Sequence, residues 1–150
     1  VGGISKPWLV AALVFSLFIW GNSLVPGEGS GGLSLFVVDT IRSVLDAVGA
    51  PSAWVTNFLV RKTAHFTEYL VLGVLAARAF CVTRIAWRID LLYLAVFLVM
   101  VPSIDETIQL FVPGRSGLLT DVAIDCCGAL TGVLLTCAVS WIVDHVRAEA

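Results

Sequence analysis

Between Asp105 and Asp125, four carboxylates, a glutamine and an arginine crowd into a chain that is otherwise mostly apolar. The order is Asp105-Glu106-Thr107-Ile108-Gln109-Leu110-Phe111-Val112-Pro113-Gly114-Arg115-Ser116-Gly117, followed by Leu118 to Asp125. At helical spacing Asp105 and Gln109 share one face, and so do Asp121 and Asp125. Pro113-Gly114 between them is a turn signal. The stretch reads as a helix end, a tight turn and a helix start, with acidic groups on both sides of the turn. A second polar knot, Arg61-Lys62-Thr63-Ala64-His65-Phe66-Thr67-Glu68-Tyr69, stands at the mouth of another apolar run.

Around these knots the 150 residues are 59% hydrophobic and only 13% charged. Soluble domains carry about 25% charged residues, so the composition indicates a one-domain membrane protein. A net charge of −2 with no basic run gives no footing for nucleic acid. Cys81, Cys126, Cys127 and Cys137 all fall in apolar runs and read as small buried hydrophobes. The Cys126-Cys127 pair lacks the spacing of a zinc site, and spacing assigns no metal elsewhere.

Four apolar runs are long enough to span, at about residues 8–24, 61–82, 89–110 and 122–143. The first has the charged start and apolar core of a signal peptide. It is long for one, no clear small-x-small site follows, and a retained helix is expected. Pro26 to Gly32 reads as a flexible loop. Leu35, Val38, Ile41, Leu45 and Val48 then mark a short amphipathic helix too polar to span, suited to the membrane interface. Gly49-Ala50-Pro51 ends it, and Trp54 fits an interfacial anchor. Gly128 and Gly132 form a small-xxx-small pair that lets another helix approach. The fold class expected is all-α: a polytopic bundle of four transmembrane helices plus the interfacial one.

Arg78, Arg84 and Arg88 flank the short second connection, which the positive-inside rule places in the cytoplasm with both termini. Both knots then lie at the extracytoplasmic ends of their helices. Charges entering a bilayer cost about 2.5–3.5 kcal/mol each on insertion scales, so they face the bundle interior and pair. Arg61, Lys62 and Arg115 are set against Glu68, Asp105, Glu106, Asp121 and Asp125, giving one buried polar cluster. Arg115, flanked by Gly114 and Gly117, is the strongest ligand candidate, because a guanidinium fork suits phosphate or carboxylate.

At these residues the chain resembles the VanZ-like family of bacterial membrane proteins, named for a protein associated with teicoplanin resistance. The resemblance rests on Arg61-Lys62-x-x-His65-Phe66-x-Glu68-Tyr69-x-x-x-Gly73, then Asp105-Glu106-x-x-Gln109-x-Phe111-x-Pro113-Gly114-Arg115-x-Gly117, then Asp121-Val122-x-x-Asp125-x-x-Gly128. The chain departs from the family pattern at Asp125, where members often carry asparagine. The resemblance implies a single VanZ-like membrane domain over residues 1–150, in the bacterial cytoplasmic membrane, linked to glycopeptide tolerance. It supplies no reaction and no cofactor.

Three readings of the cluster follow from its chemistry. In the first, Arg61, Lys62, Arg115, Glu106, Gln109, Asp121 and Asp125 form an outer pocket for an anionic envelope component, such as a lipid-linked precursor or lipid head group. In the second, His65 with Glu68 or Asp105 does acid–base or nucleophilic work on that anion, and carboxylates with histidine are also able to hold a divalent ion. The duplicated histidines and KxxxxxxRP signature of lipid phosphatases are missing. In the third, the cluster only staples helices together. Membrane lipids are the partners expected throughout.

Overall fold

A computed structural model describes residues 4–80 and 88–149, which contain five α-helices and no strand. They are α1 Lys6–Ser23, α2 Gly27–Ala47, α3 Asn57–Ala79, α4 Arg88–Gln109 and α5 Leu119–Glu149. Each boundary has a local cause. Pro7 sits in the first turn of α1, where a missing N–H costs nothing. Thr56 caps α3, its hydroxyl accepting from Leu59 N at 3.2 Å. Gly49 stops α2 at a φ of 70°, the left-handed geometry that glycine adopts without strain. Gly114, at a φ of 74°, makes the turn expected between α4 and α5.

Helices α1, α3, α4 and α5 run alternately up and down. Ser5 N donates to Ala79 O at 2.8 Å, joining the start of α1 to the end of α3. At the opposite pole Gln109, closing α4, reaches Ser23, closing α1. The most extensive contact is between α3 and α5, and glycines make it possible. A Cβ on Gly73 would overlap the carbonyl of Ala129, and one on Gly132 would overlap the carbonyl of Leu70. The small-xxx-small pair of α5 thus serves α3, at backbone-to-backbone range.

Pro102 inside α4 has no N–H to offer the Leu98 carbonyl one turn earlier. Cys126 of α5 contacts that carbonyl through Sγ at 3.7 Å. Trp20 of α1 donates its indole N–H to Val101 O at 3.2 Å. The core behind these links is apolar and includes Ile19, Tyr69, Leu72, Phe97 and Val101.

Several expectations need correction. Residues 27–32 are not a loop: α2 begins at Gly27 and is 21 residues long rather than short. Its start is held by Gly27 N donating to Pro113 O at 3.0 Å, in a contact with Gly114 too close for any side chain. The expected stripe on α2 is only partly the packed one, since Val38 is buried while Leu35, Ile41 and Val48 are exposed. The described cysteines are not buried hydrophobes either. Cys126 and Cys137 are half-buried, Cys127 is exposed, and all three are free thiols. Cys81 and Arg84 lie outside the described residues.

By length and composition, two described helices are able to cross a membrane, Asp90–Gln109 and Leu119–Glu149. The expectation was four. Helix α1 has 18 residues with polar ends at Lys6, Asn22 and Ser23, and α3 carries Arg61, Lys62, His65 and Glu68 in its first half. The outer surface is nonetheless largely apolar on α1, α4 and α5. Leu17 and Phe18 on α1, Leu92 and Val96 on α4, and Leu130 and Leu134 on α5 all face outward. Water does not tolerate such a continuous apolar face on a monomer.

Candidate functional site

The polar residues collect at one pole of the bundle, where α1 and α4 end and α3 and α5 begin. Burial there inverts the usual order. Asp105 is fully buried, Asp125 is 1% exposed, Gln109 2% and Glu106 4%, while large apolar residues lie outside. Gln109 is the organiser. Its amide nitrogen is 3.0 Å from Glu106 Oε1, 3.4 Å from Asp105 Oδ2 and 3.4 Å from Ser23 Oγ. Two amide hydrogens serve these three acceptors. The other oxygen of Glu106, Oε2, accepts from Leu118 N at 2.9 Å, which ties α4 to the first residues before α5. Gly117 leaves no room for a side chain, because a Cβ there would overlap the Glu106 carbonyl.

Helix α3 supplies the opposite wall. Lys62 pairs with Asp121. His65 Nδ1 lies 3.8 Å from Asp125 Oδ1, close but beyond a hydrogen bond. Glu68 accepts from Asn22 Nδ2 at 3.3 Å. The register that brings His65 to Asp125 comes from Gly128, whose missing side chain admits the carbonyl of Phe66. Tyr69 is fully buried against Asp105, with its hydroxyl left without a hydrogen bond of good geometry.

Arg115 does not take the carboxylate partner that charge pairing predicts. Its Nε donates to Val25 O at 3.0 Å and an Nη to Asn22 O at 2.9 Å. Both carbonyls sit where α1 ends, so the guanidinium caps that helix and meets the negative end of its dipole. Burial, and then the Arg61 charge, draw the Arg115 guanidinium below its ordinary range; Asp105, Glu106 and Glu68 pull the other way. Arg61 has no ion pair or hydrogen bond among the described residues.

Two clefts open onto this pole. One, of about 300 Å³, lies between the ends of α1, α2 and α3; Arg61, His65, Glu68 and Arg115 stand over apolar walls that include Leu33, Val37 and Val60. The other, of about 360 Å³, is lined by Arg61, Lys62, His65, Gln109 and Asp121 together with Asn57, Phe58 and the Ser116–Leu118 turn. Arg61 and His65 border both. The structure thus gathers all ten sequence candidates, from Arg61 to Asp125, around one pole. Asn22, Ser23 and Tyr69 join them without having been selected from the sequence. The signal for the first two was available: an Asn-Ser pair closing an apolar helix.

A buried polar pole inside an apolar exterior, on an all-α scaffold with two long apolar helices, defines a helical membrane protein with an inward-facing polar site. Residues 8–141 match the family model described as VanZ/LLP1. The chain belongs to that family, which links it to glycopeptide resistance. No curated protein and no solved structure matches it.

Proposed function

We propose that the protein binds an anionic amphiphile of the cell envelope, a lipid-linked precursor or a lipid head group, at the outer mouth of a four-span bundle. The observation that carries this reading is Arg61. It stands unpaired among the described residues at the junction of both clefts, and, with burial, its charge draws the Arg115 guanidinium, which shares the first cleft, below its ordinary range. An anion seated between two guanidinium groups relieves their repulsion and accepts the N–H groups left free. The apolar walls of that cleft suit the hydrocarbon of a lipid.

In this reading α1 and α3 also cross the bilayer. Their alternation with α4 and α5 and the outward Leu17, Phe18 and Val71 support that crossing, while Ser16 and Ser23 of α1 are buried and Lys62, His65 and Glu68 of α3 are half-buried. Helix α2 lies along the interface, and both termini are cytoplasmic. Glycopeptide tolerance follows if capture of the precursor keeps it from the antibiotic.

The test is Arg61→Gln. Binding of the purified protein to vesicles containing anionic lipid should weaken at least about tenfold, the worth of one charge-assisted bond. Melting temperature should hold, because Arg61 supports no other group. A strain depending on the protein should lose teicoplanin survival in parallel. Unchanged vesicle binding and unchanged survival would defeat the proposal.

A second reading, hydrolysis or transfer on the bound anion, is favoured by His65 bordering both clefts with Asp125 behind it. Glu68 and Asp105 are then orienting groups. His65→Gln should abolish turnover and leave vesicle binding intact.

A further inference from the structure

Below the two clefts, His65, Asp105, Glu106 and Asp125 each offer a ligand atom, and the four atoms lie within 4.8 Å of one another. Acidic clusters on protein surfaces are commonplace. This one is different because its three carboxylates are buried and several of the cluster's atoms have nothing to bind. Asp125, 1% exposed, has no hydrogen bond on either oxygen. Asp105, fully buried, has none of good geometry on Oδ1, although the Tyr69 hydroxyl stands beside this carboxylate, and His65 Nδ1 has none either. An orphaned buried carboxylate oxygen is costly, and three side by side cost more through mutual repulsion.

Nearby cations do not resolve it. Lys62 is committed to Asp121, and Arg115 donates to the carbonyls of Asn22 and Val25. The oxygens that are satisfied are held from outside the cluster. Gln109 fixes Glu106 Oε1 and Asp105 Oδ2, and Leu118 N fixes Glu106 Oε2. Asp105 is thus oriented as metal-binding carboxylates are, one oxygen tethered and the other left for the ion, while each Glu106 oxygen accepts one bond and keeps a second lone pair.

We infer that this pole holds a divalent cation, coordinated by His65, Asp105, Glu106 and Asp125. The spacing suits it. Opposed ligands on an ion with bonds of about 2.1 Å sit about 4.2 Å apart, so a contraction of about half an ångström closes the set. One imidazole nitrogen with three carboxylates favours Mn²⁺ or Zn²⁺ over Ca²⁺ or Mg²⁺, which prefer oxygen alone. Entry is through the second cleft, which His65 and Gln109 both line. The cation ligands do not include Arg61 or Arg115, which hold the anion, although His65 borders both sites.

The experiment uses the full chain in detergent, stripped with chelator and titrated separately with Mn²⁺, Zn²⁺, Ca²⁺ and Mg²⁺. Calorimetry gives stoichiometry, and thermal unfolding gives the stabilisation. We expect one equivalent of Mn²⁺ or Zn²⁺ per chain and a higher melting temperature with the ion. Asp125→Asn, nearly isosteric, should weaken binding at least tenfold. Should Asp125→Asn fail to fold, the less buried His65→Gln reports the same loss. Absence of saturable binding by the wild type would overturn the inference, showing that protons neutralise the carboxylates. Tighter binding of Ca²⁺ than of Mn²⁺ would overturn the role of His65. Cation titration in the absence of anionic lipid reads this site alone, and vesicle binding in the presence of chelator reads the anion pocket alone, so the two results fail separately.

Discussion

Gly132 of α5 faces the carbonyl of Leu70 on α3 so closely that a methyl group would overlap it. Gly128 stands in the same relation to Phe66, one turn nearer the polar pole. These contacts set the distance between the helix bearing His65 and the helix bearing Asp125. Gly132→Ala should therefore push α5 from α3. We expect a loss of about 1–3 kcal/mol, the usual cost of overpacking, read as a lower melting temperature in detergent. Gly31→Ala, where nothing lies within 4 Å, should be neutral or slightly stabilising through its gain in helix propensity.

Cys126 tests a contact created by a proline. Pro102 frees the Leu98 carbonyl, and the Cys126 thiol is the group that approaches it. Cys126→Ala should cost about 1 kcal/mol, and Cys126→Ser, which keeps a donor, should cost less. An equal loss from both would mean that the sulfur packs and does not bond. Thermal unfolding of the two variants decides it.

Lys62 and Asp121 form the ion pair at the rim of the second cleft, each about one-fifth exposed. A double-mutant cycle of Lys62→Ala with Asp121→Ala should give a coupling of about 1 kcal/mol, weakened by salt. A coupling near zero at low ionic strength would contradict the pair.

The polar knots were legible in the sequence because charge is scarce in this chain, and helical spacing alone put Asp105 with Gln109 and Asp121 with Asp125. The Pro113-Gly114 turn and the Gly128/Gly132 pair were legible for the same local reason. The start of α2 was not. Gly27, Gly29, Gly31 and Gly32 argue against a helix on propensity, and what holds them helical is remote: Pro113 O accepting from Gly27 N. Nor was the direction of Arg115. Matching charges pointed it at a carboxylate, whereas the unsatisfied carbonyls ending α1 claimed it. Carbonyls at a helix end are not written in side-chain letters.

The position of Arg115 changes what its substitution reports. Arg115→Lys keeps the charge, but a single ammonium on a flexible stem does not reproduce the fork that spans Asn22 O and Val25 O. We expect a loss of about 1–3 kcal/mol in stability together with any loss of teicoplanin survival. Arg61→Gln, by contrast, should lower survival at unchanged stability. Melting temperature and survival measured on both variants separate a cap from a ligand contact.

Membrane orientation is tested by the ends of the bundle. Ser116 lies exposed in the α4–α5 turn, and Ser52 lies just before α3, at the same pole. Ala148 is exposed near the far end of α5, a helix of 31 residues and so about 46 Å long, enough to cross a hydrocarbon core of about 30 Å. With the native cysteines replaced, Ser116→Cys and Ser52→Cys should react with an impermeant maleimide in intact cells. Ala148→Cys should react only after permeabilisation. The opposite pattern would move the polar pole to the cytoplasm, where an extracellular glycopeptide and the precursors it binds are out of reach. Labelling of all three in intact cells would mean that α5 does not cross, and the four-span arrangement would fall with it.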